Sequence, residues 1–349
     1  MVLKKERIFY LDEIRALAII FVIFIHVSKW FAWAETPNTL YCNFSSSFAV
    51  LGDLGVPLFF MISGALLLDR DYEFKSFFKR RFSRIFVPFV FWMAVVILFK
   101  VFLMDHAYGF DDIMNIIFKE GYVWFIWTLA GLYLFIPVLS PFIKKFKFKG
   151  AEYFLIIWII TFFSNVFHFI PPKINLTYFS GFLGYFVLGW YLSNKEFKWS
   201  DKAMIAISSI MFLVFTGIHL YVILYSIDLG NFYLTPIPVF QASGLYLFLR
   251  YSAKIAESGE GSLISKIYFG IKYSKLGKLI LSLSLCSYGI YLTHYLFIWG
   301  FQILDETYNL FLRNPFKWIP FMILVVLMGS WALIWIFSKI PSLKKFSGT

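Results

Sequence analysis

Hydrophobic runs of about twenty residues recur along nearly the whole chain, separated by short polar stretches. A bilayer core about 30 Å thick is spanned by about 20 apolar residues in helical form. Ten runs meet that need, near 8–29, 48–68, 85–104, 122–142, 151–170, 176–194, 203–224, 234–250, 279–303 and 316–338. The pattern predicts an all-α, polytopic membrane helix bundle of about ten transmembrane helices. No remaining stretch is long enough for a separate soluble fold, so residues 1–349 read as a single integral-membrane domain. The stretch Asp105 to Gly121 holds Asp111-Asp112 and an apolar stripe, which predicts an interfacial helix. Tyr251 to Lys278 is rich in Gly, Ser and Lys and predicts a mobile loop.

Composition agrees with a membrane protein. Hydrophobic residues make up 60% of the chain and charged residues 15%, against roughly 45–50% and 25% in soluble domains. The net charge of +12 raises the question of nucleic acid, and its placement answers it. With ten spans both termini fall on one side. Twenty-five of the 32 Lys and Arg residues lie on that side and six on the other, Arg15 being inside the first span. Positive charge concentrates in cytoplasmic loops, so the split predicts cytoplasmic termini and needs no nucleic acid. Cys42 and Cys286 lie in an outer loop and the ninth span, which suggests neither a disulfide framework nor a metal site. Sequons at Asn43 and Asn175 matter only in a glycosylating pathway. The basic start, the run Ala16 to Val27 and Ala32-Trp33-Ala34 also fit a cleavable signal peptide. Asp12 and Glu13 argue against that, because acidic residues are poor in the basic leader, and the first span is read as retained.

Ionisable residues inside apolar spans cost about 2.5–3.5 kcal/mol each on insertion scales, and so mark candidate sites. His26 follows Arg15 by eleven residues on the first span. That spacing is close to three helical turns, which puts both on one face, about 16 Å apart along the axis. Asp12 lies three residues before Arg15 on nearly the same stripe. Arg80, Arg81 and Arg84 cluster at the entrance to the third span. They suit either phosphate binding through charge-assisted bonds or contact with lipid headgroups. Gly52 to Gly64 combines small residues with Pro57, which favours close helix packing, and carries Asp53 and Ser63. Asp53 is either a site residue or simply solvated. In the ninth span Ser287, Tyr291 and His294 share one face, His294 being structural or catalytic. His106, His168 and His219 fall near outer span ends and read as interfacial.

Together these segments resemble membrane acyltransferase family 3, the bacterial integral-membrane acyltransferases of surface polysaccharides. The likeness is carried by Asp12, Arg15 and His26, by Gly55 to Gly64, and by Arg80-Arg81, Arg84 and Pro88. Trp124-Phe125 with Gly131 to Leu134 and Pro137, and Ser287 to Leu292 with His294, complete it. Where many members have a histidine two residues before the Trp-Phe pair, this chain has Tyr122. The resemblance implies a bacterial cytoplasmic-membrane enzyme with acetyl-CoA or another acyl-CoA as donor substrate and no bound cofactor. The acceptor is a glycan or lipid-linked sugar among membrane lipids. It further implies His26 as the essential residue and Arg80, Arg81 and Arg84 in the donor site. On that reading His26 is the general base or a transient acyl carrier, and Arg15, paired with Asp12, lies beside the donor. Asp53, Ser63, Tyr291 and His294 are candidates for the acceptor side or the oxyanion. A glycan exporter or transporter using the same intramembrane charges is the competing class. Oligomeric state is left open.

Overall fold

The computed structural model describes residues 7–36, 39–103, 109–167, 179, 181–259 and 262–349. Thirteen α-helices occur among them and no strand: α1 (Phe9–Ala34), α2 (Leu40–Ser47), α3 (Ala49–Gly52), α4 (Gly55–Leu67), α5 (Phe74–Leu103), α6 (Phe110–Lys119), α7 (Trp124–Phe167), α8 (Leu183–Asn194), α9 (Asp201–Leu224), α10 (Pro236–Glu257), α11 (Leu263–Tyr273), α12 (Lys275–Tyr308) and α13 (Pro315–Lys339). An apolar chain in lipid must satisfy every backbone group internally, and a helix does so within one segment.

Seven stretches among the described residues are long and apolar enough to cross a membrane: α1, Leu40–Leu67, α5, Trp124–Phe162, α9, α12 and α13. The sequence pattern separates ten, and the difference has local causes. The expected spans 122–142 and 151–170 are two arms of α7, broken at Lys147, whose φ of 50° and ψ of −135° leave the helical region. α8 has 12 residues, about 18 Å of helix. α10 is 22 residues long but carries Gln241, Ser243, Arg250 and Lys254. The break in α7 is tied to the α4–α5 connection: Lys147 Nζ bonds Asp69 at 3.2 Å, and Lys144 pairs with Asp71.

α1 is the central element and packs against α12, α4, α10 and α13. Lipid supplies no hydrophobic drive between helices, so close van der Waals approach has to hold them together. The α4–α8 pair shows how close. A Cβ placed on Gly64 would sit 1.9 Å from the Phe186 carbonyl oxygen, and one on Gly189 would sit 1.9 Å from that of Met61. The small residues of the second span therefore serve packing, as their pattern suggested. At the end of α8, the buried Arg250 donates to the carbonyls of Leu192 (2.8 Å) and Lys195 (2.7 Å), supplying donors that a helix C-terminus lacks. Beside it Lys254 bonds Glu196 and Asp201, and these two carboxylates hold its ammonium above the usual lysine range.

One local expectation changes, and one helix stands where it was expected. The stretch Tyr251 to Lys278 is mostly ordered helix. α11 begins at an N-cap where the Ser262 hydroxyl accepts from the Ser265 amide, and Tyr268 packs its ring against α10 residues Ala253 and Ala256. The expected interfacial helix exists as the ten-residue α6, and Trp127 Nε1 donates to its Ile117 carbonyl at 3.0 Å. His106, His168 and the sequon at Asn175 lie outside the described residues.

Candidate active site

α1 delivers Arg15 and His26 to two separate chambers, as three turns of helix require. The inner chamber has a volume of about 290 Å³ and is lined by Arg15, Arg81, Arg84, Ser63 and Tyr133, with Tyr291 at its end. The outer chamber measures about 300 Å³ and is lined by His26, Lys29, Trp124, Asn231 and Tyr233, again with Tyr291. Phe125 and Tyr291 belong to both, their ring centroids 5.1 Å apart, and so form the partition.

The inner chamber is strongly positive. Asp12 is not primarily Arg15's partner: Arg7 holds it with two bonds of 2.7 and 3.1 Å, and the Ser284 hydroxyl donates to it at 2.6 Å. Arg15 stays 3.8 Å from Asp12 and reaches Ser284 at 3.4 Å. The Asp12 charge is thus answered by Arg7. The guanidinium groups of Arg15, Arg81 and Arg84 line a chamber that no Asp or Glu among the described residues lines and that Gly348 and Thr349 also border. Arg80 is the exception among the sequence candidates. It is exposed, does not line the chamber, and donates to Ser76 on its own helix at 3.1 Å. On an α-helix Arg81 and Arg84 share a face by their i, i+3 spacing, and Arg80 shares one with Ser76. Ser63 donates to the Phe59 carbonyl at 2.8 Å and faces this inner chamber, not the outer one.

In the outer chamber His26 Nδ1 lies 2.9 Å from the Tyr295 hydroxyl, and the His294 ring centroid is 5.1 Å from its own. A hydroxyl both donates and accepts, so this contact serves either tautomer of His26. When His26 donates through Nδ1, its Nε2 is a free base. His294 is fully buried and lines neither chamber. Its Nδ1 sits 2.7 Å from the Tyr291 carbonyl, which can only accept. The hydrogen is therefore on Nδ1, and the lone pair of Nε2 has no partner among the described residues. The Tyr291 hydroxyl donates to the Tyr122 carbonyl, which ties the partition to the residues just before α7. Tyr122 also stacks on Tyr295 at 4.4 Å.

Asp53 does not line either chamber. One carboxylate oxygen accepts from Tyr233 at 3.0 Å, and the other lies 3.4 Å from His219 Nε2. His219 is not interfacial: it is 1% exposed, and its Nδ1 lies 3.2 Å from Gln241 Oε1. Gln241 in turn donates to the Val50 carbonyl and to Thr216. Asp53 thus anchors Tyr233, which does line the outer chamber. Sequence reasoning missed Tyr295, Tyr233 and Lys29. Tyr295 adjoins His294 in sequence and Lys29 follows His26 by three residues, which puts it on the same face; nothing in the sequence signals Tyr233.

Comparison with known proteins bears on this arrangement. An amino-acid racemase of Enterococcus faecalis is 24% identical over 239 residues, which cover 61% of this chain and 32% of that protein. The peptidoglycan O-acetyltransferase OatA of Listeria monocytogenes is 28% identical over 162 residues, 42% of this chain and 23% of that protein. The chain therefore spans about a third or less of the curated relatives it matches. No solved structure matches. The acyltransferase-domain model of acyltransferase family 3 matches residues 8–335. With nearly its whole length inside that match, the chain belongs to this acyltransferase family.

Proposed function

We propose that the chain is a membrane O-acyltransferase of the bacterial cytoplasmic membrane, moving an acetyl or succinyl group from acyl-CoA to a hydroxyl of a surface glycan or lipid-linked sugar. The observation that carries this reading is the pair of chambers that meet at Phe125 and Tyr291, one lined with guanidinium groups and the other holding a histidine. On the sequence reading of ten spans with both termini in the cytoplasm, the arginines lie inside and His26 towards the outer leaflet. Coenzyme A is cytoplasmic and polyphosphorylated. Arg15, Arg81 and Arg84 suit its phosphates, because guanidinium groups bind them bidentately. Its pantetheine arm then points along α1 towards the partition.

Acyl transfer needs a base, an oxyanion stabiliser and alignment of donor with acceptor. His26 Nε2 takes the proton of the acceptor hydroxyl while Nδ1–H donates to Tyr295. The hydroxyl oxygen bonds to the thioester carbonyl carbon, the carbon–sulfur bond breaks, and the sulfur leaves with the electron pair. The proton held on His26 passes to that sulfur, which regenerates the base. Tyr291 and Ser63 line the inner chamber and could donate to the oxyanion only by leaving the Tyr122 and Phe59 carbonyls they now hold.

The test is label transfer from radioactive acetyl-CoA, then succinyl-CoA, into membrane glycans, comparing wild type with His26→Ala at equal expression. Label with wild type alone supports the reading. Label from both proteins removes His26 from the mechanism. Label from neither, together with no coenzyme A binding, favours an exporter, which has no use for coenzyme A.

A further inference from the structure

The outer chamber carries a charge that the acyl-transfer chemistry does not use. Lys29 lies one turn beyond His26 on α1 and lines the same chamber. No carboxylate stands within ion-pair distance of it among the described residues. Glu35, Asp53 and Glu120 are not among its lining residues. Glu120 is paired with Lys100 at 2.9 Å, and Asp53 is held behind the wall by Tyr233 and His219. Among the described residues the chamber therefore offers one ammonium and no compensating anion. Apolar walls focus the field of such a charge on whatever enters.

The wall opposite is a nearly continuous aromatic surface. Trp124 lies 5.8 Å from Tyr233 and 5.5 Å from Phe182, tilted at 36° and 37°, and Phe182 lies 6.1 Å from Tyr233. Aromatic faces carry partial negative charge and attract the weakly positive C–H groups of a flat sugar face. Asn231 adds an amide that can donate to and accept from hydroxyls. A cation, an aromatic wall and a polar amide around one histidine form a site for a particular kind of acceptor.

We propose that the acceptor is an anionic sugar, bearing a carboxylate or phosphate that Lys29 binds while the hydroxyl to be acylated faces His26. The inference rests on the acyl-transfer reading for the identity of the chamber, and on Lys29 and its surroundings for the charge of the ligand. The shared chemistry is an anion on a sugar ring; the two sources of that anion are separated by the probes.

The experiment is binding by the full-length protein in neutral detergent, read by titration calorimetry. The probes are a tetrasaccharide containing glucuronic acid and a glycosyl phosphate, each against its neutral counterpart, carboxyl-reduced or dephosphorylated. Wild type is expected to bind at least one acidic probe about tenfold to a hundredfold more tightly than its neutral partner, the range for a bond to a charged group. Lys29→Gln should abolish the preference, Lys29→Arg should keep it and Lys29→Glu should invert it. The Arg variant also guards against misfolding, because it preserves charge and length. Equal affinity within each pair, including no measurable affinity for either member, overturns the proposal. So does a preference that survives in Lys29→Gln. Label transfer in the same preparation separates the two claims. Charge-selective binding without acyl transfer keeps this site and removes the activity, whereas acyl transfer with no charge preference does the reverse.

Discussion

The two chambers have nearly the same volume, about 290 Å³ inside and about 300 Å³ outside, and they share Phe125 and Tyr291. Their chemistry differs sharply. The inner one is lined by three guanidinium groups on two helices, and Asp12, the carboxylate beside Arg15, is already taken by Arg7. The outer one holds a histidine, one ammonium and an aromatic wall. A cavity with several fixed cations suits a polyanion, while a single cation beside aromatic rings suits a ligand with one charge and an apolar face. Size would not tell the two ligands apart, so charge has to do so.

The sharpest way to break this division of labour is His26→Ala. Removing a general base costs about a hundredfold to ten-thousandfold in rate, so label transfer should fall by that factor while coenzyme A binding in the inner chamber is retained. A fall in both would mean that the chambers are not separate. The Arg81→Ala, Arg84→Ala double variant should do the opposite, raising KM for the acyl donor by about a hundredfold to ten-thousandfold, at roughly 1.5–3 kcal/mol for each of two charged bonds, with kcat much less affected. Arg80→Ala is its control and should stay within about twofold, since Arg80 turns away from the chamber. Gly189→Val attacks both chambers together. It forces a side chain into the Met61 carbonyl, and overpacking of that kind costs about 3 kcal/mol, so thermal unfolding in detergent should show a lower midpoint. Apart from the Arg80 control, the smallest effect is expected from Tyr295→Phe. It removes one bond to His26 worth about 1 kcal/mol, which lowers kcat about fivefold and leaves KM for the donor unchanged.

How much of this was legible beforehand follows from the physics of each signal. Periodicity along one helix is local, so Arg15 and His26 were placed on one face of α1 from spacing alone, and the chambers they line are the result. The packing role of the Gly52 to Gly64 segment was legible for the same reason, since small residues mark close approach wherever the partner comes from. The choice among Arg80, Arg81 and Arg84 was not. Three neighbouring arginines look alike until it is known which face of α5 meets the bundle. The pairing of Asp53 with His219 joins residues 166 positions apart, and that of Asp12 with Ser284 joins residues 272 apart. No window along the chain contains either pair. The Lys147 break within α7 was visible only as a polar interruption between two apolar runs, because lysine carries no signature of a positive φ. Tyr251 to Lys278 misled because glycine and serine suggested a loop, whereas Ser262 and Ser274 act as helix caps there.

The partition of Phe125 and Tyr291 has one more consequence. In electrical terms it is an insulator. A protein that carries a whole charged molecule across a membrane has to open a path wide enough for that molecule, and ions can follow. Two aromatic rings 5.1 Å apart, with the Tyr291 hydroxyl fastened to the Tyr122 carbonyl, stand between the two chambers. An acetyl group is small and uncharged, so its passage past these rings moves no net charge through the bilayer. Turnover would then draw nothing from the membrane potential, and the rate should be indifferent to an ionophore that collapses it.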